Sequence, residues 1–258
     1  SMGWLFVKRR MMTELGNDWQ NKFKGFDKQS CSAASLGQVH KAISVDGKSL
    51  ACKLQYPDMQ SAIEADLKQL KLAFNLYERA DKAISTKSIH KELSARLAEE
   101  LDYKREASNL KLYSAILKSE KNVFVPDVID NLSTDRLLTM TWLEGNKLLD
   151  WLEREPDLNS RNNVAVNMFK AWYIPFYFYG VIHGDPHLGN YSITDKEKIN
   201  LLDFGSIRFF NPTFVEGVIT LYKALKTNNS ELAEEAYYKW GFGKLTKEMI
   251  EVLSVWAR

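Results

Sequence analysis

The stretch that decides the fold reads His183-Gly184-Asp185-Pro186-His187-Leu188-Gly189-Asn190 and continues, after a short hairpin-like segment, as Leu201-Leu202-Asp203-Phe204-Gly205. An aspartate, an asparagine five residues later and a second aspartate that opens Asp-Phe-Gly are typical of the acidic half of a phosphoryl-transfer site. One carboxylate accepts or orients the proton of the nucleophile. An amide oxygen and the second carboxylate hold Mg²⁺ against the nucleotide phosphates. We therefore expect Asn190 and Asp203 to be metal ligands.

A small-residue loop upstream fits the template of a loop that covers phosphates. Residues 32–39 match G-x-G-x-x-G-x-V, with Ser32 and Ala34 in place of the first two glycines. Small side chains let the backbone approach phosphate oxygens, but Cβ atoms remove easy access to positive φ and stiffen the loop. The residues expected to contact the nucleotide from this loop are Ala33, Ala34, Ser35, Gly37 and Val39.

A lysine for the phosphates follows fourteen residues after the loop. Leu50-Ala51-Cys52-Lys53 resembles the V-A-I-K strand, and Asp46-Gly47 predicts the hairpin turn that precedes it. Strand alternation places Ala51 and Lys53 on one face, so that Ala51 packs on adenine while Lys53 reaches phosphate. The alternative, an exposed strand lysine, is disfavoured by the position of Lys53 after this loop.

A single helix is predicted from about Ser88 to Leu117, which makes two helices between the lysine strand and the next strand. An apolar stripe at i+4 spacing indicates this helix, and Glu99, Asp102 and Glu106 form a separate acidic stripe. We interpret Glu99 as part of a solvated face.

Together these motifs resemble the UbiB, or aarF-domain, family of atypical kinases. The resemblance runs from about Leu15 to Lys226 and rests on the alanine-rich loop with its Gly-Gln-Val-His continuation, the lysine strand, Glu100-Leu101-Asp102-Tyr103, Glu106-Ala107-x-Asn109 and the two acidic motifs.

The resemblance implies an α+β, protein-kinase-like two-lobe fold, with extra helices beside an antiparallel N-lobe sheet and a mostly helical C-lobe. It also implies ATP and Mg²⁺ as cofactors and a role in isoprenoid-quinone (ubiquinone) biosynthesis. By motif, Lys53 is the phosphate-contacting lysine, Glu106 its ion-pair partner and Asp185 the catalytic-loop aspartate. Glu100 and Asp102 match the E-x-D motif of the family. Asn190 and Asp203 remain the metal ligands.

The expected organisation is an N-terminal segment over residues 1–30, an N-lobe over 31–144 and a C-lobe over 145–258. Glu144-Gly145 is the expected hinge, whose backbone would hydrogen-bond adenine. Ser1-Met2 resembles a tag remnant, and the basic, aromatic start predicts either a membrane-touching helix or a solvated one. The K-x-G-Q motif that the family carries upstream of the loop does not occur before Ser32.

Composition excludes several other classes. The formal charge of +2 over 258 residues gives no pull on nucleic acid, and two cysteines offer neither a disulfide framework nor a metal spacing. No segment is predicted to span a bilayer. The expected location is cytoplasmic or on the matrix side of an organelle, with peripheral membrane contact left open. The expected partners are ATP, a lipid or quinone precursor, and quinone-biosynthesis proteins.

Two features argue against a conventional protein kinase. Gly184 stands where regulated kinases have arginine, and no Ala-Pro-Glu follows Asp203-Phe204-Gly205. The leading hypothesis is an enzyme of the phosphotransferase class (EC 2.7) that acts on a lipid, a small molecule or water. A phosphotransferase of the aminoglycoside or choline kinase type, against which residues 33–40 argue, and a nucleotide-sensing scaffold without turnover are the alternatives.

Overall fold

The computed structural model describes residues 2–34, 36–80 and 86–257 and has an α+β architecture. Contacts divide the chain into two compact units. The first comprises Ser1–Met168 and Asp185–Ser206, and the second comprises Phe169–Gly184 and Ile207–Arg258. The lobe boundary at residues 144/145 stays a prediction.

The elements are numbered in chain order. The strands are β1 (Phe23–Phe26), β2 (Ser32–Ala34), β3 (Gly37–Ser44), β4 (Ser49–Gln55), β5 (Val123–Phe124), β6 (Leu137–Thr141), β7 (Asn146–Lys147), β8 (Val181–His183), β9 (Tyr191–Ile193), β10 (Ile199–Leu201) and β11 (Ile207–Phe209). The helices are α1 (Trp4–Leu15), α2 (Met59–Ala80), α3 (Thr86–Glu100), α4 (Tyr103–Ile116), α5 (Leu148–Leu152), α6 (Leu158–Tyr179), α7 (Pro212–Thr227), α8 (Ser230–Lys239) and α9 (Lys247–Ala257).

An antiparallel sheet in the first unit carries the predicted lysine strand. Its strand order is β1-β3-β4-β6, with β2 paired to β3. The predicted turn between β3 and β4 is present, and Gly47 has φ +86° there, a conformation that glycine adopts without steric cost. The register places Lys53 opposite Val39 on one side and Leu138 on the other, so these three side chains share a face.

Helix α1 packs on the opposite face of this sheet. Val7 and Met11, one turn apart, are fully buried in a cluster with sheet residues that include Leu54. Trp4 lies edge-on to Trp19, with ring centroids 6.3 Å apart. Val7 and Met11 are therefore part of the protein core, whereas Leu5 on the same helix is 74% exposed. Whether the exposed side of this helix is only solvated or touches a membrane stays a prediction.

A buried polar relay joins α1 to β3. The Met2 amide donates to Gln38 Oε1 at 2.6 Å, Gln38 Nε2 lies 2.8 Å from His40 Nε2, and His40 Nδ1 lies 2.8 Å from the Asp27 carbonyl oxygen. Because that carbonyl can only accept, Nδ1 carries the proton and Nε2 accepts from Gln38. Gln38 and His40 are both fully buried. The relay fixes a neutral imidazole on β3.

The prediction of one long helix from Ser88 to Leu117 is wrong. Helix α3 ends at Glu100 and α4 begins at Tyr103, so three helices rather than two separate β4 from β5. The physical reason is Asp102, whose carboxylate accepts from the Arg105 amide at 2.9 Å and caps α4. Asp102 falls at helical spacing within the acidic stripe, so periodicity does not distinguish a capping aspartate from an aspartate inside a helix.

A second sheet in the first unit has the order β5-β10-β9-β7. The hairpin of β9 and β10 lies directly between the two acidic motifs of the sequence and pairs Ile193 with Ile199. Strand β5 in this sheet is limited to Val123–Phe124, and Val128 makes only an isolated bridge to Met140.

The second unit is built from the last part of α6, the β8–β11 pair and α7 to α9. Gly217 on α7 lets the Trp240 indole approach closely, since a Cβ there would lie 2.5 Å from Trp240 Nε1. That nitrogen donates to the Phe214 carbonyl at 3.1 Å. Among the helices of the described residues, none has the length and apolarity to cross a membrane.

The His40 relay makes stability depend on pH. Burial lowers the pKa of His40 below its ordinary value of 6.5, although the Asp27 carbonyl opposes this effect. Because the unfolded chain then binds more protons, stability is present above pH 6.5 and is lost as the pH falls below it. We expect the melting temperature of His40→Gln to depend less on pH across this range than that of the wild type. Parallel pH profiles for the two proteins would contradict this prediction.

Candidate active site

Lys53 lies at the centre of the candidate site, on a buried stretch of β4. It is 7% exposed, and its Nζ donates to Glu106 Oε1 at 2.7 Å, to Glu106 Oε2 at 2.9 Å and to Asp203 Oδ2 at 3.0 Å. The three residues come from β4, α4 and the segment after β10, all within the first unit. The structure thus brings together the lysine, the glutamate and the Asp-Phe-Gly aspartate of the sequence motifs.

Charge compensation stabilises this arrangement. Burial alone would lower the pKa of the Lys53 ammonium, but the carboxylates of Glu106 and Asp203 outweigh burial and raise it. Burial raises the pKa of the Glu106 carboxyl, and the ion pair with Lys53 opposes that rise. The ammonium therefore stays charged, with two carboxylates as its hydrogen-bond acceptors.

The break between α3 and α4 at Leu101 and Asp102, called the elbow below, positions Glu106. Asp102 caps α4 and Glu106 follows one turn later, on the side that faces β4. Gln55, which points to the same face as Lys53, donates through Nε2 to the Leu101 carbonyl at 3.1 Å. The two members of the E-x-D motif thus have separate structural roles. Asp102 begins the helix, whereas Glu100 accepts from the Ser206 hydroxyl at 3.3 Å, next to Asp-Phe-Gly.

The Asp-Phe-Gly segment is fixed by its phenylalanine. Phe204 is fully buried, and its ring packs edge-on against Tyr113 with centroids 5.4 Å apart. Its carbonyl accepts from Asn109 Nδ2 at 3.0 Å. The Gly205 amide donates to Asp203 Oδ1 at 3.0 Å, which leaves Oδ2 directed at Lys53. Helix α4 thus holds both the lysine partner and the Asp-Phe-Gly backbone.

The catalytic-loop motif forms a compact turn around Asp185. Asn190 Nδ2 donates to Asp185 Oδ2 at 2.8 Å, and the His187 amide donates to Asp185 Oδ1 at 3.1 Å. The Asn190 carbonyl accepts from the Leu202 amide at 3.0 Å, which ties the turn to the strand that leads into Asp203. His187 Nδ1 accepts from the Gly189 amide at 3.0 Å.

The alanine-rich segment forms a tight β-hairpin. Ala33 pairs with Gln38 and Ala34 with Gly37, so that β2 lies flat against the start of β3. Gly37 is required for this close packing, because a Cβ there would lie 2.4 Å from the Leu54 carbonyl oxygen. Val39 is half-buried opposite Lys53, and Ala51 is buried beside it. Ser35 lies outside the described residues.

The predicted hinge residue Glu144 has two contacts. Its exposed carboxylate pairs with Lys41 at 2.8 Å, and its carbonyl accepts from Asn200 Nδ2 at 3.1 Å. Glycine at position 145 is needed there, since a Cβ would lie 2.8 Å from Ser192 Oγ and 2.9 Å from Asn200 Nδ2. The hinge is thus anchored to the hairpin of β9 and β10.

Three contributors were missed by sequence reasoning. They are Gln55, which donates to the Leu101 carbonyl, Asn109, which donates to the Phe204 carbonyl, and Tyr103, whose ring lies near Lys53. Lys53 Nζ lies 5.4 Å from the centroid of the Tyr103 ring. Spacing alone contained a signal for all three, because Gln55 is two residues along the strand from Lys53, and Tyr103 and Asn109 are each three residues along the helix from Glu106. A polar residue at such a position predicts a side chain directed into the same site.

The side chains of Asp203 and Asn190 offer oxygen atoms for part of the coordination shell of Mg²⁺. Asp203 offers carboxylate oxygens, and Asn190 offers an amide oxygen, since its amide nitrogen is used on Asp185. Among the described residues no group of three or more His, Cys, Asp or Glu is placed to hold a metal. Mg²⁺ usually takes one or two protein oxygens and completes its shell with water and substrate phosphates. Asn190 and Asp203 therefore offer the kinds of oxygen atom that a protein contributes to a Mg²⁺ site.

The buried ion pair predicts a specific pattern of stabilities. Lys53→Met leaves Glu106 buried without its cation, and we expect a loss of about 3–5 kcal/mol in the free energy of unfolding. The loss of stability should grow as the pH rises above 4.5, the ordinary pKa of glutamate. Without Lys53 the buried Glu106 carboxyl is protonated in the folded protein, whereas in the unfolded chain it ionises above this pH. Lys53→Met/Glu106→Met should recover part of it. Urea denaturation that finds the double variant as unstable as the sum of both single variants would contradict this account.

Sequence comparisons match this chain to a known domain family and to known proteins. Residues 1–237 match the ABC1 atypical kinase-like domain. The chain is 30% identical over 241 residues to "Atypical kinase coq-8, mitochondrial" of Caenorhabditis elegans, covering 92% of this chain and 32% of that protein. It is 31% identical over 222 residues to "Atypical kinase COQ8, mitochondrial" of Saccharomyces cerevisiae, covering 86% of this chain and 43% of that protein.

The fold is also found among solved structures. A Mycobacterium tuberculosis protein, Rv3197, solved in complex with erythromycin, superimposes with a TM-score of 0.78 at 25% identity, over 98% of this chain and 65% of that one. The chain thus spans between about a third and two thirds of these relatives' own lengths. The predicted α+β, kinase-like fold is confirmed, and the chain belongs to the ABC1 atypical kinase-like domain family, as its motifs indicate.

Proposed function

We propose that this protein is an ATP- and Mg²⁺-dependent atypical kinase or ATPase that supports isoprenoid-quinone biosynthesis. The observation that carries the proposal is the joint binding of the buried Lys53 ammonium by Glu106 and Asp203. A lysine held in this way presents a fixed positive charge, and phosphoryl transfer depends on positioned charge more than on covalent chemistry by the protein.

Each residue has a proposed role. Lys53 contacts the α- and β-phosphates, and Glu106 fixes its direction. Asn190 and Asp203 hold Mg²⁺, which neutralises charge on the phosphates when bound. Ala33, Ala34, Ser35, Gly37 and Val39 cover the nucleotide, while Ala51 and the backbone at Glu144 contact adenine.

Asp185 is the proposed catalytic base. Its two carboxylate oxygens accept from the His187 amide and from Asn190 Nδ2, and these hydrogen bonds fix its orientation. A carboxylate oriented in this way can accept the proton of an attacking hydroxyl or water. The same asparagine that orients Asp185 belongs to the proposed metal pair, so the base and the cation site are positioned together.

The proposed acceptor is a lipid, a small molecule such as a quinone precursor, or water. Gly184 and the absence of Ala-Pro-Glu after Gly205 leave no recognisable platform for a peptide in the sequence. The coq-8 and COQ8 relatives are named mitochondrial atypical kinases. An organelle-matrix or cytoplasmic location, peripheral membrane contact and quinone-biosynthesis proteins as partners belong to the same proposal.

Asp203→Asn tests the metal and nucleotide assignment. We expect Mg²⁺ with ATP to raise the melting temperature of the wild type, because a ligand at a hundred times its Kd stabilises the native state by about 2.7 kcal/mol. Asp203→Asn should lose this rise. Asp195→Asn, the same chemical change on the exposed turn between β9 and β10, should keep it. An unchanged Mg²⁺-dependent rise in Asp203→Asn would reject the assignment.

Asp185→Asn separates an enzyme from a nucleotide-sensing scaffold. Removing a general base costs on the order of 10²–10⁴ in rate, so phosphate release or transfer should fall by that factor while ATP affinity stays within about twofold. The assay includes lipid vesicles and quinone precursors as acceptors. A wild type that binds ATP yet shows no turnover under any of these conditions would favour the scaffold.

A further inference from the structure

Asn200 is a polar residue in the middle of a short core strand. It lies between Ile199 and Leu201 on β10, and it is 1% exposed. Strand alternation directs its side chain to the face opposite these two apolar neighbours. Its partner across the hairpin is Ser192, which is 6% exposed. Burying two polar side chains has a cost that an apolar pair of similar shape would not have, so the pair indicates a role beyond packing.

The amide nitrogen of Asn200 joins this pair to the hinge. Nδ2 donates to Ser192 Oγ at 2.8 Å and to the Glu144 carbonyl at 3.1 Å. A side-chain amide has two hydrogens, so both of its donors are used. All three residues belong to the first unit. The direction of the Glu144 carbonyl is therefore fixed by a side chain of the β9–β10 hairpin.

The segment that leads into the hinge is also held at its other end. The Trp142 amide donates to the Ser49 carbonyl at 2.9 Å. Between the two held points lies Leu143, which is half-buried. Among the described residues, neither its amide nor its carbonyl forms a hydrogen bond. The chain thus presents one unpaired donor and one unpaired acceptor at a position that is fixed on both sides.

A donor and an acceptor side by side match one purine better than the other. Adenine offers an amino donor at N6 and an acceptor at N1, whereas guanine has the O6 acceptor and an N1 hydrogen in the same places. Guanine would therefore bring acceptor to acceptor and donor to donor against the Leu143 backbone. The discrimination depends on how firmly that backbone is held.

We propose that Asn200 is a positioning residue for base specificity, which holds the Glu144 carbonyl so that the Leu143 backbone accepts adenine and rejects guanine. The same hairpin carries the proposed metal ligands at its two ends, because Asn190 directly precedes β9 and Asp203 follows β10 by two residues. One hairpin thus sets the place of the base relative to the cation on the phosphates. The inference rests on the proposed nucleotide site.

Asn200→Leu removes both donors and keeps a similar side-chain volume. We expect the Kd for ATP with Mg²⁺ to rise about tenfold, which corresponds to about 1.4 kcal/mol. The Kd for GTP with Mg²⁺ should barely change, because guanine makes no matched contact with Leu143 in the wild type. The preference for ATP over GTP should therefore fall about tenfold. The KM for ATP should rise while kcat at saturating ATP is retained, because the groups that act on the phosphates are untouched.

Two control variants separate positioning from general damage. Ser192→Ala keeps the donor to the Glu144 carbonyl and should keep the preference for ATP. Asn167→Leu is the same chemical change at another buried asparagine of the first unit. Asn167 is 6% exposed, and its Nδ2 donates to the Glu197 carbonyl at 3.4 Å, on the turn of the same hairpin. It should lower the melting temperature and leave the preference for ATP unaltered.

Gly145→Ala tests the anchor from the side of the hinge and decides the question where Asn200→Leu does not fold. The added Cβ would lie 2.8 Å from Ser192 Oγ and 2.9 Å from Asn200 Nδ2, so the hinge has to move away from the anchor. We expect the same fall in the preference for ATP as in Asn200→Leu.

The outcomes separate the inference from the function on which it rests. Wild type that binds ATP and GTP equally well would overturn the inference alone. Asn200→Leu and Gly145→Ala variants that keep the wild-type preference, or that weaken both nucleotides by the same factor, would also overturn it. Wild type that binds no nucleotide would overturn the proposed function and this inference with it.

Discussion

The arrangement of the site depends on one buried ammonium group, that of Lys53. Lys53 has too little solvent around it to stay charged alone, and two carboxylates from distant parts of the chain compensate it. This requirement links β4, α4 and the Asp-Phe-Gly segment through one group. Because removing Lys53 would leave both carboxylates without their cation, the geometry of the three elements depends on this lysine.

The elbow between α3 and α4 places the carboxylate that compensates this charge. Asp102 starts α4 at the residue that directs Glu106 towards Lys53, while Gln55 fixes the carbonyl just before the elbow. One turn further along, Asn109 holds the carbonyl of Phe204. A single short helix therefore determines both the lysine geometry and the Asp-Phe-Gly geometry. A shift of its first turn would change both together.

Sequence reasoning reached the parts of the fold that depend on local spacing. The β3–β4 hairpin and the grouping of Lys53 with Asp203 follow from turn chemistry and from ordered motifs, whereas Glu106 required the family resemblance. The elbow at Asp102 was missed because a helix cap and a helical carboxylate have the same residue type. The packing of α1 was missed because its basic residues dominate the sequence pattern, and the only buried residues described on it are Val7 and Met11, one turn apart. The position of the Tyr103 ring near Lys53 depends on tertiary structure, although the spacing from Glu106 predicts the helix face on which Tyr103 lies.

The most direct test of the central claim observes the Lys53 ammonium itself by lysine-selective ¹⁵N NMR, with Lys53→Arg used to assign the signal. An ammonium held by Glu106 and Asp203 and shielded from water exchanges its protons slowly. The account predicts a protected Nζ signal in the free protein, which shifts when Mg²⁺ and ATP are added. A Lys53 signal that is absent in the free protein, or one that Mg²⁺ and ATP leave unchanged, would contradict it.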